Sequence, residues 1–130
     1  MTTITETGHV LSPAAALIVR DVDAHLDATI AQPYRDQPLA GDWARVTKVC
    51  EEAGEVWQAL SKLTGENSRK GVCGTEDELL GELADTAMAA MCAIQHLTKD
   101  MTRTQAVLRA AMVKAEARVL RYQEAARRAS

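Results

Sequence analysis

Residues 48–85 read KVCEEAGEVWQALSKLTGENSRKGVCGTEDELLGELAD, and this stretch decides the fold. It carries two pairs of carboxylates at matched spacing. Glu52 and Glu55 are three apart in one predicted helix, and Glu82 and Asp85 are three apart in the next. Residues three apart are neighbours on a helix surface, so each pair sets two acidic side chains side by side. The glycine-rich segment from Gly65 to Gly74 joins the two helices, and an antiparallel hairpin of them brings the pairs face to face. Four converging carboxylates repel one another. A hard divalent cation such as magnesium, which takes oxygen ligands and keeps waters that a phosphate displaces, is the simplest remedy.

Outward from the acids, Asp42 is the expected cap of the first hairpin helix. The apolar residues Trp43, Val46, Cys50, Ala53, Trp57 and Leu60 follow it at spacings of three and four, an amphipathic seam. Val49, Val56 and Leu63 widen that seam, and Glu52 and Glu55 fall just beyond its edge with Lys48. Thr75 with Glu78 forms a capping box for the second helix. After Asp85 no Asp, Glu, Lys or Arg appears until Lys99, so this helix is expected to be central and largely buried. Glu82 and Asp85 share their strip with Ala89 and Ala93, which points to a partly enclosed groove where unpaired charge is costly.

Two further helices flank the hairpin. Ser12-Pro13 opens one, with Ile18, Val22, Leu26 and Ile30 recurring every four residues and an end expected near Ala31. Pro33, Pro38 and Gly41 then mark a connector. Thr102 with Gln105 reads as a second capping box, opening a helix to about Arg127 with Val107, Leu108, Ala111, Met112, Ala115 and Val119 facing inward. Residues 1–11 read as a loose arm. With no strand signal and no internal repeat, residues 1–130 are expected to form one all-α domain, a four-helix bundle.

Composition agrees. The chain is 47% hydrophobic with no Phe, two Trp and two Tyr, so its core must come from Ala, Leu, Val, Ile and Met, which favours helices over sheets. The apolar run Ala87 to Ile94 is far short of a membrane span of about twenty residues, and the N-terminus lacks a secretory pattern. A soluble, cytoplasmic protein is expected. Cys50, Cys73 and Cys92 are odd in number and lack C-x-x-C spacing, which argues against disulfides and structural zinc. Cys50 and Cys92 read as small core residues. Cys92 and His96 are spaced as a metal pair, but no second pair accompanies them. Residues 51–85 hold nine acidic side chains against three basic, and residues 101–130 hold seven basic against two acidic. The basic tail has no aromatic stacking platform and reads as a solvated face rather than a nucleic-acid surface.

The sequence Lys48-Val-Cys-Glu51-Glu52-Ala-Gly-Glu55-Val, followed by Gly81-Glu82-Leu-Ala-Asp85, resembles the two motifs of the MazG-like, all-alpha nucleoside triphosphate pyrophosphohydrolases: ExxE, a spacer, then ExxD. The likeness covers about residues 43–98. It implies that Glu52, Glu55, Glu82 and Asp85 bind magnesium, with manganese as a substitute. It also implies hydrolysis of a nucleoside triphosphate to monophosphate and pyrophosphate by water attack at the α-phosphorus. Lys48, Arg69 and Lys70 are then candidates for the triphosphate, Asn67, Trp43 or Trp57 for the base, and Glu51 for an outer ligand or general base, unless it is a surface Glu. A homodimer or dimer of dimers is expected, because the apolar surface of the third helix exceeds what one neighbour buries. A dUTPase-like or phosphoribosyl-ATP pyrophosphatase-like enzyme on the same scaffold, or a non-catalytic interaction module, stays open.

Overall fold

The computed structural model describes residues 8–30, 34–66 and 69–129. Among them every regular element is helical: α1 spans Pro13–Ala28, a 3-10 turn covers Tyr34–Asp36, α2 spans Ala40–Thr64, α3 spans Glu76–Thr98 and α4 spans Met101–Ala129. The chain is all-α, as composition and periodicity require. No helix among the described residues is long and apolar enough to cross a membrane.

The helix ends show which local signals won. Ser12 Oγ accepts from the Ala15 amide and starts α1 with Pro13 in its first turn. That helix stops at Ala28, short of Ala31, because the Thr29 hydroxyl donates to the Leu26 carbonyl and Arg35 Nη2 takes the Ala28 and Ile30 carbonyls. Asp42 does not cap α2. The helix begins at Ala40 behind Leu39 with no side-chain cap, and the Asp42 carboxylate is 2.9 Å from His96 Nε2 instead. Gly65, at φ 72°, closes α2 in the left-handed region that glycine occupies at little cost.

The Thr75–Glu78 capping box forms as expected. The Thr102–Gln105 box does not. Asp100 Oδ1 accepts from the Thr102 amide, which frees Gln105 to bind the backbone of Val10 and Leu11. Arg109 Nε donates to the Gly8 carbonyl, so residues 8–11 are tied to α4 rather than loose.

The α2–α3 hairpin dominates the packing, α1 lies along α3, and α4 meets α3 near its start. Thr104 is fully buried there and donates to Gln95 Oε1. From Ala110 onward every described α4 residue except Glu116 is exposed. The expected inward face of α4 therefore lies open from Ala111 to Val119 among the described residues, and only Leu108 before it is half-buried. The α2 seam is exposed too: Trp43 is 71% and Trp57 61% exposed, and Cys50 lies open beside them. On α3, Leu80, Leu83, Ala87, Ala90, Ile94 and Leu97 repeat the same spacing, with Leu80, Leu83 and Leu97 exposed. The hairpin buries the other faces, through Arg45, Glu52 and Ala59 of α2 and Cys92, Ala93 and His96 of α3.

Gly41 of α2 packs closely against the His96 imidazole of α3. A Cβ there would meet His96 Cε1 at 2.7 Å and Nε2 at 2.8 Å, and the imidazole is held at both nitrogens. Gly41→Ala should cost about 1–3 kcal/mol, the usual penalty of overpacking, despite the better helix propensity of Ala. Urea unfolding at fixed protein concentration checks this, and a neutral or stabilising result would refute the contact.

Candidate metal centre

Glu52 on α2 and Glu82 and Asp85 on α3 present carboxylate oxygens that all lie within 4.8 Å of one another. The helices place them unequally. Glu52 sits at the middle of the buried α2 face and is 8% exposed, Glu82 is half-buried, and Asp85 is open to solvent. Glu52 therefore lies inside the helix–helix contact rather than beyond the edge of an apolar seam. Hairpin register supplies the convergence, since a register one residue different would turn Glu82 and Asp85 away from Glu52.

Glu55 follows one turn along α2, outside that group of three but within its field. Its carboxyl is pushed above the ordinary value, first by the charge of Glu52, then by burial and by Glu82. Lys48 stands one turn to the other side, its Nζ 2.6 Å from Glu52 Oε1 and 3.3 Å from Glu51 Oε1. Hydrogen bonds to Glu52 and then Glu51 push the Lys48 ammonium up to about 12. Glu51 itself is exposed and meets Lys48 rather than the other acids. Asn67 lies outside the described residues. Arg69 and Lys70 sit in a loop anchored where the Cys73 and Gly74 amides donate to the Lys62 carbonyl, roughly 15 Å along α2 from Glu52. The hairpin thus brings together Glu52, Glu82 and Asp85 with Glu55 and Lys48 beside them, and sets the loop cations at its far end.

A cavity of about 420 Å³ opens beside the acids between α1, α2 and α3. Its walls are mostly apolar, with Leu26, Ile30, Met88 and Cys92 among them, and Lys48, Glu52 and Asp85 form part of its rim. Burial, then Asp23, pushes the Cys92 thiol up, so it packs as an unreactive wall. Trp43 and Trp57 line no part of this cavity. Trp43 borders a groove of about 630 Å³ with Pro38 and Leu39, which adjoins this cavity at Ile30 and Ala44.

A second cluster escaped the sequence reading. Asp23, Asp27 and His96 also offer ligand atoms within 4.8 Å of one another. Their positions are taken, however. Arg45 is 4% exposed and donates from Nε to Asp23 Oδ1 at 3.1 Å, and from Nη2 to the Asp23 carbonyl and to Asp27 Oδ1, both at 2.9 Å. His96 Nδ1 lies 3.2 Å from Asp23 Oδ1, and Lys99 Nζ lies 3.1 Å from the same nitrogen. A guanidinium fixed by three bonds already neutralises this site, and a metal would have to evict it. His96 is therefore a structural bridge and not half of a Cys92–His96 metal pair. The donor set of Glu52, Glu82 and Asp85 is different. It is all oxygen, crowded, and balanced by one lysine on a flexible stem, which suits a hard divalent ion.

Comparison with known proteins finds no matching family model, no matching curated protein and no matching solved structure.

The raised Glu55 carboxyl has a signed consequence. A carboxyl that holds its proton more tightly in the folded state makes stability fall as pH rises through the unfolded value near 4.5 toward the raised one, and the loss persists above it. Glu55→Gln should remove that loss. The metal-free variant is expected to melt at or above the wild-type temperature at neutral pH, with the gap closing below about pH 4.5. Thermal melting across pH 4 to 8 in chelator checks this, and a variant that melts well below wild type at neutral pH would contradict it.

Proposed function

We propose that this chain is a magnesium-dependent hydrolase of nucleoside triphosphates of the MazG-like kind, releasing monophosphate and pyrophosphate. The observation that carries the reading is the convergence of Glu52, Glu82 and Asp85, two of which, Glu52 and Asp85, line a mostly apolar cavity together with Lys48. Both motif pairs contribute to that convergence. The resemblance in the sequence and the geometry of the fold share Glu52, Glu82 and Asp85, and Glu55, which the resemblance also names, stands one turn outside that group.

Glu52, Glu82 and Asp85 would hold the ion, with Glu55 within reach as a further ligand. The ion would supply neutralisation of the phosphate oxygens and a bound water of lowered pKa. The chain's own residues do the rest. The cavity takes the base and sugar against apolar walls, which orients the phosphate chain toward the acids and keeps bulk water off it. Lys48 meets phosphate oxygens as a point charge. The base and sugar are for a substrate panel to identify, because shape dominates this cavity.

The reading includes a homodimer. The chain exposes 9456 Å², where a compact chain of 14.1 kDa is expected to expose roughly 6,700 Å². The exposed stretch of α4 from Ala110 onward and the open apolar stripes of the hairpin both contribute to that excess. Two heptad-spaced stripes, on α2 and on α3, lie open on the same hairpin, and a two-fold copy would convert it into a four-helix bundle. A cytoplasmic location completes the reading, consistent with three free thiols.

Pyrophosphate release from a panel of common and modified nucleoside triphosphates, with and without magnesium, tests the activity. Glu82→Gln and Asp85→Asn should each cut turnover about a hundredfold, the several kcal/mol that such an ion contributes, and should shrink the rise in melting temperature that magnesium gives wild type. Wild-type melting indifferent to magnesium, together with variants as fast as wild type, would defeat the reading. For assembly, sedimentation at micromolar concentration should give a dimer that Trp57→Glu disrupts. A monomer with full activity would rule the dimer out.

A further inference from the structure

Glu52 is the buried member of the carboxylate cluster, and burying a carboxylate is costly unless a cation meets it. The cation that meets it is Lys48, at 2.6 Å from Oε1. Lys48 is half exposed, and it lines the cavity together with Glu52 and Asp85. Its position is therefore double. It touches an oxygen of Glu52, the least exposed residue of the donor set, and it lines the cavity.

A divalent ion held by Glu52, Glu82 and Asp85 would sit within a few ångströms of the present ammonium position. Two cations that close repel strongly outside bulk water. They also compete for the Glu52 carboxylate. Lysine suits an exchange, because its charge rides on a flexible four-carbon stem and keeps its hydration easily, whereas Arg45 in the neighbouring cluster is fixed by three bonds.

Building on the metal-site reading above, we propose that Lys48 is the built-in counter-ion of this cluster. It neutralises Glu52 until a divalent cation takes the carboxylate, and the displaced ammonium then turns to the cavity rim and binds the phosphate chain. Metal binding and phosphate recognition are thereby coupled through one side chain. The free protein keeps its lysine engaged with Glu52, and the arriving ion releases it for the substrate.

The test uses manganese alone as the probe, titrated by electron paramagnetic resonance into wild type, Lys48→Met and Glu52→Gln, with a crystal structure of wild type grown in manganese. Lys48→Met should bind manganese about tenfold tighter than wild type, since a competing cation is gone, while its metal-free form melts lower. In the manganese structure, Lys48 Nζ should stand more than about 4 Å from Glu52 Oε1, beyond ion-pair range. In turnover, Lys48→Met should raise KM for the nucleotide about tenfold with a smaller change in kcat, as loss of a charge-assisted phosphate contact requires. Equal or weaker manganese binding by Lys48→Met, a Lys48–Glu52 contact that persists with manganese bound, or an unchanged KM would each overturn the exchange. Absence of manganese binding by wild type, or equal binding by Glu52→Gln, would instead overturn the metal site itself and the exchange with it.

Discussion

The fold depends on a charged lattice at one end of the hairpin, centred on Arg45. That guanidinium ties α2 to α1 through Asp23 and Asp27, and His96 extends the lattice to α3 through its contacts with Asp23 and Asp42. Buried ionic groups are expensive unless their partners are well placed, and here each buried member has one. The cost of misplacing them makes the lattice a register device. With Asp42 held against His96, a chain ten residues further along α2 and eleven back along α3 must bring Glu52 to Asp85. The apolar core could not set this register alone, since the buried apolar residues are Val19, Ala59, Cys92 and Ala93, which are mostly small.

The two clusters show how similar side chains acquire different roles. Asp23, Asp27 and His96 have the ligand chemistry of a metal site, yet a rigid guanidinium already satisfies them. Glu52, Glu82 and Asp85 are as close together, but their charge is met from the side by a lysine that is half in solvent. The first arrangement lowers the energy of the folded chain. The second leaves like charges facing one another across α2 and α3, and Glu55 registers that repulsion in its raised carboxyl. A site that is poorly neutralised by its own protein is one that gains from an ion or ligand.

Local chemistry was legible in the sequence and register was not. Ser12-Pro13, Gly65 and the Thr75–Glu78 box act over three or four residues, so they could be read directly. The pairs Glu52 with Glu55 and Glu82 with Asp85 were legible for the same reason. Asp42 and Gln105 were misread because each is a competent capping residue whose side chain found a better partner far away, in His96 and in the Val10–Leu11 backbone. The Arg45 lattice joins residues up to seventy-three apart, and no spacing rule reaches that far. The apolar seam of α2 is visible in the sequence, but that α1, α3 and α4 leave Trp43, Val46 and Trp57 exposed required coordinates. Arg69 and Lys70 were drawn to the site by charge, although a helix rising roughly 1.5 Å per residue carries their loop well away from Glu52.

The same rise and rotation decide whether assembly and access conflict. A helix turns about 100° per residue, so residues two apart point almost oppositely. Lys48 precedes Cys50 by two, and Glu55 precedes Trp57 by two. The rim of the cavity and the exposed stripe therefore occupy opposite flanks of α2. A second copy seated on Trp43, Cys50 and Trp57 would bury the stripe and leave the acids facing outward. The carboxylates need no second subunit as their cover, because α1, through Val22 and Leu26, and Ile30 just beyond its end already close one side of the cavity. Assembly would act on the site indirectly. A hairpin with so little apolar core of its own holds Glu52 opposite Asp85 only as firmly as the whole bundle is held, so its stability and its site would share a dependence on protomer concentration.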